Sequence, residues 1–133
     1  WLVKPNAEEL AQALGVAVAS PQAQAAAARR LRAEGVEHVV ISQGAEGVDW
    51  FSAAPALRAV PPTVSVASTV GAGDSLLAGM LHGLLSGHDA EQTLRTATAI
   101  AAMAVTQIGF GITGTAQLAQ LEQGVRVRPL TEQ

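Results

Sequence analysis

The sequence lacks several residue types on which whole classes of function depend. Its 133 residues include no cysteine, and aromatic residues make up only 3%. The absence of cysteine excludes disulfides and thiolate metal sites and fits a reducing compartment. The scarcity of aromatic residues argues against stacking platforms for single-stranded nucleic acid. The net charge of −3 provides no basic surface for nucleic acid or for an anionic membrane.

The chain also has no apolar run of about 18 residues and no signal peptide, so we expect a soluble cytoplasmic protein. What is present is a globular composition, with 49% hydrophobic and 14% charged residues. The length is enough for one domain with its own core. Residues 1–3, "WLV", are typical of the end of a buried strand. We therefore expect the upstream half of the protein to be missing.

The hydrophobic pattern predicts an α/β fold with a mainly parallel sheet. Strands are predicted over residues 1–3, 37–42, 48–52, 57–60 and 63–67. Helices are predicted over residues 7–14, 21–34, 74–86, 90–107 and 115–122. The first strand, helix and strand imply a parallel crossover, and the run after "QGAEG" implies a hairpin. The predicted buried face of the helix over 74–86 consists of Leu76, Leu77, Met80, Leu81, Leu84 and Leu85.

The stretch "STVGAGDSLLAG", residues 68–79, places small residues and a carboxylate where a strand gives way to a helix. Gly71 and Gly73 allow the backbone to approach a ligand, and the N–H groups of a helix N-terminus bind anions. The carboxylate of Asp74 would repel a phosphate, so it does not suit a site that only binds phosphate, but it suits a base that takes a proton from a hydroxyl during phosphoryl transfer. Asp74 could equally have only a structural role, in which its negative charge interacts favourably with the positive end of the helix dipole. Spacing alone leaves both interpretations open.

Two further motifs also have a structural and a functional interpretation. Asn6 and Glu9 in "NAEE" match a capping box, and their oxygens also suit the waters of a Mg²⁺ ion; the two interpretations are compatible. The segment "SQGAEG", residues 42–47, is either a hairpin turn or a second phosphate-contacting loop.

Three glycines in "GFGITG", Gly109, Gly111 and Gly114, match the dinucleotide pattern G-x-G-x-x-G. That fingerprint needs a strand before it and a helix opening within it. Here a long predicted helix precedes the match. We therefore interpret the segment as a loop between helices.

The segments "VKPNAEEL", "HVVISQGAEGVDW" and "STVGAGDSLLAG" together resemble the PfkB (ribokinase-like) family of sugar kinases in order and spacing. The resemblance extends through "TLRTATAIAAMAVTQIGFGIT" and covers nearly all of the chain. It implies a three-layer α/β/α sandwich with a Rossmann-like sheet. Residues 1–133 would form its C-terminal nucleotide-binding and catalytic portion, without the N-terminal sugar-binding part and lid.

The resemblance also implies phosphoryl transfer from ATP, with Mg²⁺, to a sugar-phosphate hydroxyl. Asp74 matches the catalytic base, and Gly71, Ala72 and Gly73 match the anion hole. The residues it assigns to ATP are Ser42, Gln43, Gly44, Ala45, Glu46, Gly47, Thr69 and Gly73. Asn6 and Glu9 match the motif that orders Mg²⁺, and residues 101–112 match the region that flanks the adenine.

The branch that the sequence most resembles converts fructose 1-phosphate to fructose 1,6-bisphosphate. Ser68 stands where the wider family usually has Asp, which favours the sugar-phosphate branch and weakens the inference of a monovalent-cation site. Fructose 6-phosphate and tagatose 6-phosphate kinases of the same family are alternatives, and so is a non-catalytic nucleotide or sugar-phosphate sensor. The isolated chain is expected to be inactive. In this family the lid often mediates dimerisation, so the sequence does not give the oligomeric state, and any homodimer would form through the missing part.

Overall fold

A computed structural model describes residues 1–15, 20–106 and 114–130 of the chain. The elements in order are β1 (Leu2–Val3), α1 (Ala7–Leu14), α2 (Pro21–Ala33), β2 (His38–Ser42), β3 (Val48–Phe51), β4 (Leu57–Val60), α3 (Ala72–Leu85), α4 (Ala90–Val105), α5 (Thr115–Gly124) and β5 (Arg126–Pro129). A short 3₁₀ turn, Gly44–Glu46, connects β2 to β3. Within these ranges no helix combines the length and the apolarity needed to cross a membrane.

The strands form a mixed sheet in the order β1-β2-β3-β4-β5. β1 and β2 run parallel, with Leu2 opposite His38. β2 and β3 are antiparallel, with Ser42 opposite Val48, so residues 43–47 form the loop of a hairpin. The parallel crossover and the hairpin that the sequence predicts are both confirmed.

The chain divides into two compact units, and the first comprises the described residues of 1–44, 48–58 and 128–133. Its core joins the inner faces of α1 and α2 to β2 and β3. The core residues are Leu10, Ala25, Ala27, Ala28, Val39, Ile41 and Phe51. The Ala-rich sequence of α2 favours helix and presents small side chains, so that helix can pack closely against the strands.

The second unit comprises residues 45–47 and 59–127, and the packing of α3 against α4 dominates it. A Cβ added at Gly79 would lie 2.6 Å from the Cα of Ala97, and one at Gly83 would lie 2.6 Å from the Thr93 side chain. The two helices therefore meet where α3 has no side chains. Leu76 and Met80 share this buried face, as predicted. Leu85 is 78% exposed, because it lies off the row of positions that faces α4.

One predicted strand is absent from the described part of the chain, and one strand of the structure was not predicted. Residues 63–67 form no strand among the described residues, because Pro61 and Pro62 have no N–H to continue a ladder beyond β4. β5 was not predicted, although "VRVR" over residues 125–128 alternates apolar and polar residues, because the run is short, mostly exposed and ends at Pro129. The glycine match at Gly109 and Gly111 lies outside the described residues, as does residue 107 of the predicted long helix.

Candidate functional site

The N-terminus of α3 in the second unit presents open backbone N–H groups. Its N-cap is Gly71, whose φ of 83° lies in the left-handed region that favours glycine. The Ala72 N–H makes a long bond of 3.4 Å to the Thr69 carbonyl. Within residues 1–15, 20–106 and 114–130, no backbone acceptor takes the N–H groups of Gly73 and Asp74. Such groups at the positive end of a helix attract an anion.

The carboxylate of Asp74 lies at this same helix terminus. Asp74 is the third residue of α3 and is exposed. A carboxylate here is favoured by the helix dipole and is also accessible to a ligand. The structure therefore has the placement that both sequence interpretations of Asp74 require.

The segment that leads into α3 is held by backbone bonds to the end of α4. The N–H groups of Ala67 and Ser68 both donate to the Val105 carbonyl, at 2.6 and 3.2 Å. The Ser68 hydroxyl accepts from the Val70 N–H at 3.2 Å, so this residue folds its own turn. Val105 belongs to the stretch over 101–112 that the resemblance assigns to the adenine region, of which residues 107–112 lie outside the described residues.

Asn6 and Glu9 in the first unit form the capping box that the sequence predicts. The Asn6 Oδ1 accepts from the Glu9 N–H at 2.8 Å, and the Glu9 Oε1 accepts from the Asn6 N–H at 3.1 Å. Both residues are exposed, and the cap uses one of the two carboxylate oxygens of Glu9. Oxygen donors of this kind fit Mg²⁺.

A complete protein cage for a metal is not found in the described part of the chain. There, no three His, Cys, Asp or Glu side chains lie close enough together to hold an ion. Mg²⁺ commonly keeps several waters and binds through one or two carboxylates plus substrate phosphates. Asn6 and Glu9 therefore fit an ion that is completed by water and phosphate oxygens.

The loop after β2 begins beside this capping box. Asn6 is the parallel bridge partner of Ser42, and the Ser42 N–H donates to the Pro5 carbonyl at 3.2 Å. The structure thus brings the "NAEE" motif and the start of "SQGAEG" together at the carboxyl ends of β1 and β2. Ligands of α/β proteins bind at this edge of a sheet.

The rest of this loop is a tight turn with an exposed tip. Gly44, Ala45 and Glu46 are exposed. Gly47 has a φ of 120°, and a Cβ there would collide with the Ala59 carbonyl oxygen, so the position requires glycine. The hairpin interpretation is confirmed, and the contact of residues 42–47 with phosphate stays a prediction.

Sequence reasoning missed a buried polar cluster behind this loop. The Asp49 side chain is 3% exposed and accepts from the Arg58 guanidinium at 2.6 and 2.8 Å. The amide nitrogen of Gln43 donates to Asp49 at 3.0 Å and to Gln24 at 2.9 Å. A charged residue inside the buried run "VDWF" was the available signal, since buried charges need partners.

His38 is another residue whose environment the sequence did not predict. It is half-buried on β2, and its Nδ1 accepts from the Trp50 Nε1–H at 3.1 Å. Its ring also lies 5.7 Å from that of Trp1 in an edge-on arrangement. Burial lowers the pKa of His38 below its ordinary value, despite the opposing effect of Glu37.

The chain is similar both to a known protein family and to individual named proteins. A model described as pfkB family carbohydrate kinase matches residues 1–116. The chain is 48% identical over 129 residues to 1-phosphofructokinase from Escherichia coli, a match that covers 97% of this chain and 41% of that protein.

Solved structures share the fold. Phosphofructokinase-2 from Escherichia coli, in complex with substrates and products, matches with a TM-score of 0.83 at 28% identity, over 92% of this chain and 40% of that one. A ribokinase from Arabidopsis thaliana, complexed with ribose and ATP, has the same TM-score at 24% identity, over 92% of this chain and 40% of its own. The chain spans less than half the length of each of these relatives.

Proposed function

The chain belongs to the pfkB family of carbohydrate kinases and has a ribokinase-like fold, and we propose that it is the C-terminal nucleotide-binding and catalytic part of a longer ATP-dependent sugar-phosphate kinase. The most specific form of this proposal is the phosphorylation of fructose 1-phosphate to fructose 1,6-bisphosphate. The 48% identity to a protein named 1-phosphofructokinase supports that acceptor.

The observation that carries the proposal is the exposed carboxylate of Asp74 beside the open N–H groups of Gly73 and Asp74. A site that only bound phosphate would gain nothing from a negative charge there. A site that transfers a phosphoryl group needs both the carboxylate and the backbone N–H groups. Backbone N–H groups stabilise the charge of the transferring group, and a carboxylate accepts the proton of the attacking hydroxyl.

The other assigned residues have supporting roles. The backbone of Ser42 to Gly47 and the exposed Thr69 contact the phosphates of ATP. Asn6 and Glu9 hold the water shell of Mg²⁺, which supplies positive charge against the phosphate oxygens. The proposed small-molecule partners are the nucleotide and the sugar phosphate. The proposed protein partner is a second copy of the same protein, bound through a part outside this chain.

A second acceptor is supported by the structural likeness to phosphofructokinase-2 from Escherichia coli, of which one structure is in complex with fructose 6-phosphate. Fructose 6-phosphate is therefore the alternative substrate, and tagatose 6-phosphate is a third sugar phosphate of the same kind. A protein that binds nucleotide or sugar phosphate without reaction is the alternative outside enzymology.

The test is an ADP-release assay on the full-length protein with the three sugar phosphates in parallel, with and without Mg²⁺. We expect Mg²⁺-dependent turnover with a preference for fructose 1-phosphate. Preference for another of the three would retain the kinase and change the acceptor. ATP binding by calorimetry with no turnover of any sugar phosphate would overturn the kinase in favour of the sensor.

A further inference from the structure

The side chain of Gln43 is held by the protein on both of its donor positions. Its amide nitrogen lies 2.9 Å from the Gln24 Oε1 and 3.0 Å from the Asp49 Oδ2. A side-chain amide has two N–H donors, and these two bonds use both. Gln43 therefore cannot offer its amide N–H groups to a ligand in this conformation, although it lies within the loop assigned to ATP.

The two acceptors that hold Gln43 are themselves fixed. Asp49 is buried on β3 and receives two parallel bonds from Arg58, a geometry that sets both the position and the orientation of the carboxylate. Gln24 is buried on α2. The first residue after β2 is thus tied to a helix and to a strand at the same time.

The loop beyond Gln43 differs from its base. Gly44, Ala45 and Glu46 are exposed, and they form a single 3₁₀ turn. A loop that must be ordered when a ligand binds loses affinity through the entropy of ordering, and a loop held in shape beforehand does not. An anchor at the base of this loop would therefore act on ligand affinity.

We propose that Gln43, Gln24, Asp49 and Arg58 form an anchor that fixes the loop over residues 42–47 in the shape that receives the phosphates of ATP. Gln43 is then a positioning residue that acts through the backbone of the following turn. This inference rests on the proposed function for its ligand. The anchoring of the loop itself is independent of which sugar phosphate is the acceptor.

The test compares Gln43→Met with Gln22→Met in the full-length protein. Methionine has nearly the length of glutamine but no N–H donor, and Gln22 is an exposed residue two positions before Gln24 on α2. For Gln43→Met we expect the KM for ATP to rise roughly 5- to 20-fold, the effect of losing one or two hydrogen bonds. The kcat and the KM for the sugar phosphate should stay within about twofold, as expected for lost ground-state binding.

Hydrogen exchange provides a readout that does not need activity. The backbone amides of residues 44–47 should exchange faster in Gln43→Met than in the wild type, and Gln22→Met should match the wild type. Unchanged exchange with an unchanged KM for ATP would overturn the anchor. Equal effects in both variants would overturn it as well.

Asp49→Asn is the second variant, because it keeps the side-chain volume and removes the charge that Arg58 and Gln43 share. We expect the same rise in the KM for ATP. If Asp49→Asn does not fold, Gln43→Met decides, since it leaves the Asp49–Arg58 pair intact. If the wild type neither binds ATP nor phosphorylates a sugar phosphate, the proposed function fails, and the exchange of residues 44–47 still decides the anchor.

Discussion

Two loops of this chain are built in opposite ways. The loop before α3 is held by backbone bonds to Val105 and turns at a glycine, and it leaves the carboxylate of Asp74 exposed. The loop after β2 is held by the side chain of Gln43, which donates to Gln24 and to the buried carboxylate of the Asp49–Arg58 ion pair. Ligand binding and turnover at the first loop and the helix start that follows it should therefore be most sensitive to added side-chain atoms and to changes of Asp74. The second should be most sensitive to the loss of polar partners.

The largest expected effect is on turnover when Asp74 is changed. Asp74→Asn in the full-length protein should lower kcat roughly 10²- to 10⁴-fold with little change in ATP affinity, because the amide cannot accept the proton. Steady-state kinetics and nucleotide calorimetry measure the two quantities. Asp89→Asn is the matched control, since Asp89 caps α4 and asparagine caps equally well. Near-normal turnover of Asp74→Asn would leave only the helix-dipole interpretation.

The largest expected effect on stability comes from breaking the Asp49–Arg58 pair, which supports the loop after β2. Arg58→Met should lower the free energy of unfolding by about 3 kcal/mol, because it leaves the Asp49 carboxylate buried without its charged partner. Arg30→Met is the control: its pair with Glu34 spans 3.6 Å and is more than half exposed, so its loss should cost less than about 1 kcal/mol. Chemical denaturation of the full-length variants compares them. Equal losses would mean that burial does not distinguish the two pairs.

A smaller effect should follow from adding a side chain in the first turn of α3. Gly73→Val should weaken ATP binding by about tenfold, or about 1.4 kcal/mol, because the side chain blocks the approach of phosphate to the backbone. Ala78→Val, on the exposed part of the same helix, should leave affinity unchanged. Calorimetry with ATP measures both. Unchanged affinity and turnover in Gly73→Val would refute a backbone cradle at this helix.

The smallest expected effect concerns pH and the strand that precedes the anchored loop. The pKa of His38 is lowered in the folded state, so the unfolded chain binds more protons as the pH falls below 6.5. The contribution of His38 to stability is complete above that pH and is lost as the pH falls through the lowered folded value. Denaturation curves from pH 7.5 to 5 should show a smaller loss in His38→Gln than in the wild type. Identical curves would show that His38 has the same pKa in both states.

Much of the fold could be predicted because its signals are local. The capping box of Asn6 and Glu9, the Ser20 cap before Pro21 and the Asp89 cap all involve residues within three positions of each other. Helix starts and the hairpin loop were predicted within a few residues for the same reason. The signals that mark the start of α3 are also local, because its glycines and the acidic residue of its first turn are adjacent in the sequence.

Other features were decided only by tertiary structure. The anchor combines residues from different elements, namely Gln24, Gln43, Asp49 and Arg58. No spacing along the chain predicts that these residues contact each other. The close contact of α3 with α4 depends on which face each helix turns to the other, so Gly79 and Gly83 became core positions while Leu85 became exposed. β5 exists by pairing with a distant strand, and residues 63–67 form no strand among the described residues. The sequence by itself determined helices, turns and the position of the Asp74 carboxylate because those depend on neighbours in the chain, whereas burial, strand pairing and the anchor depend on neighbours in space.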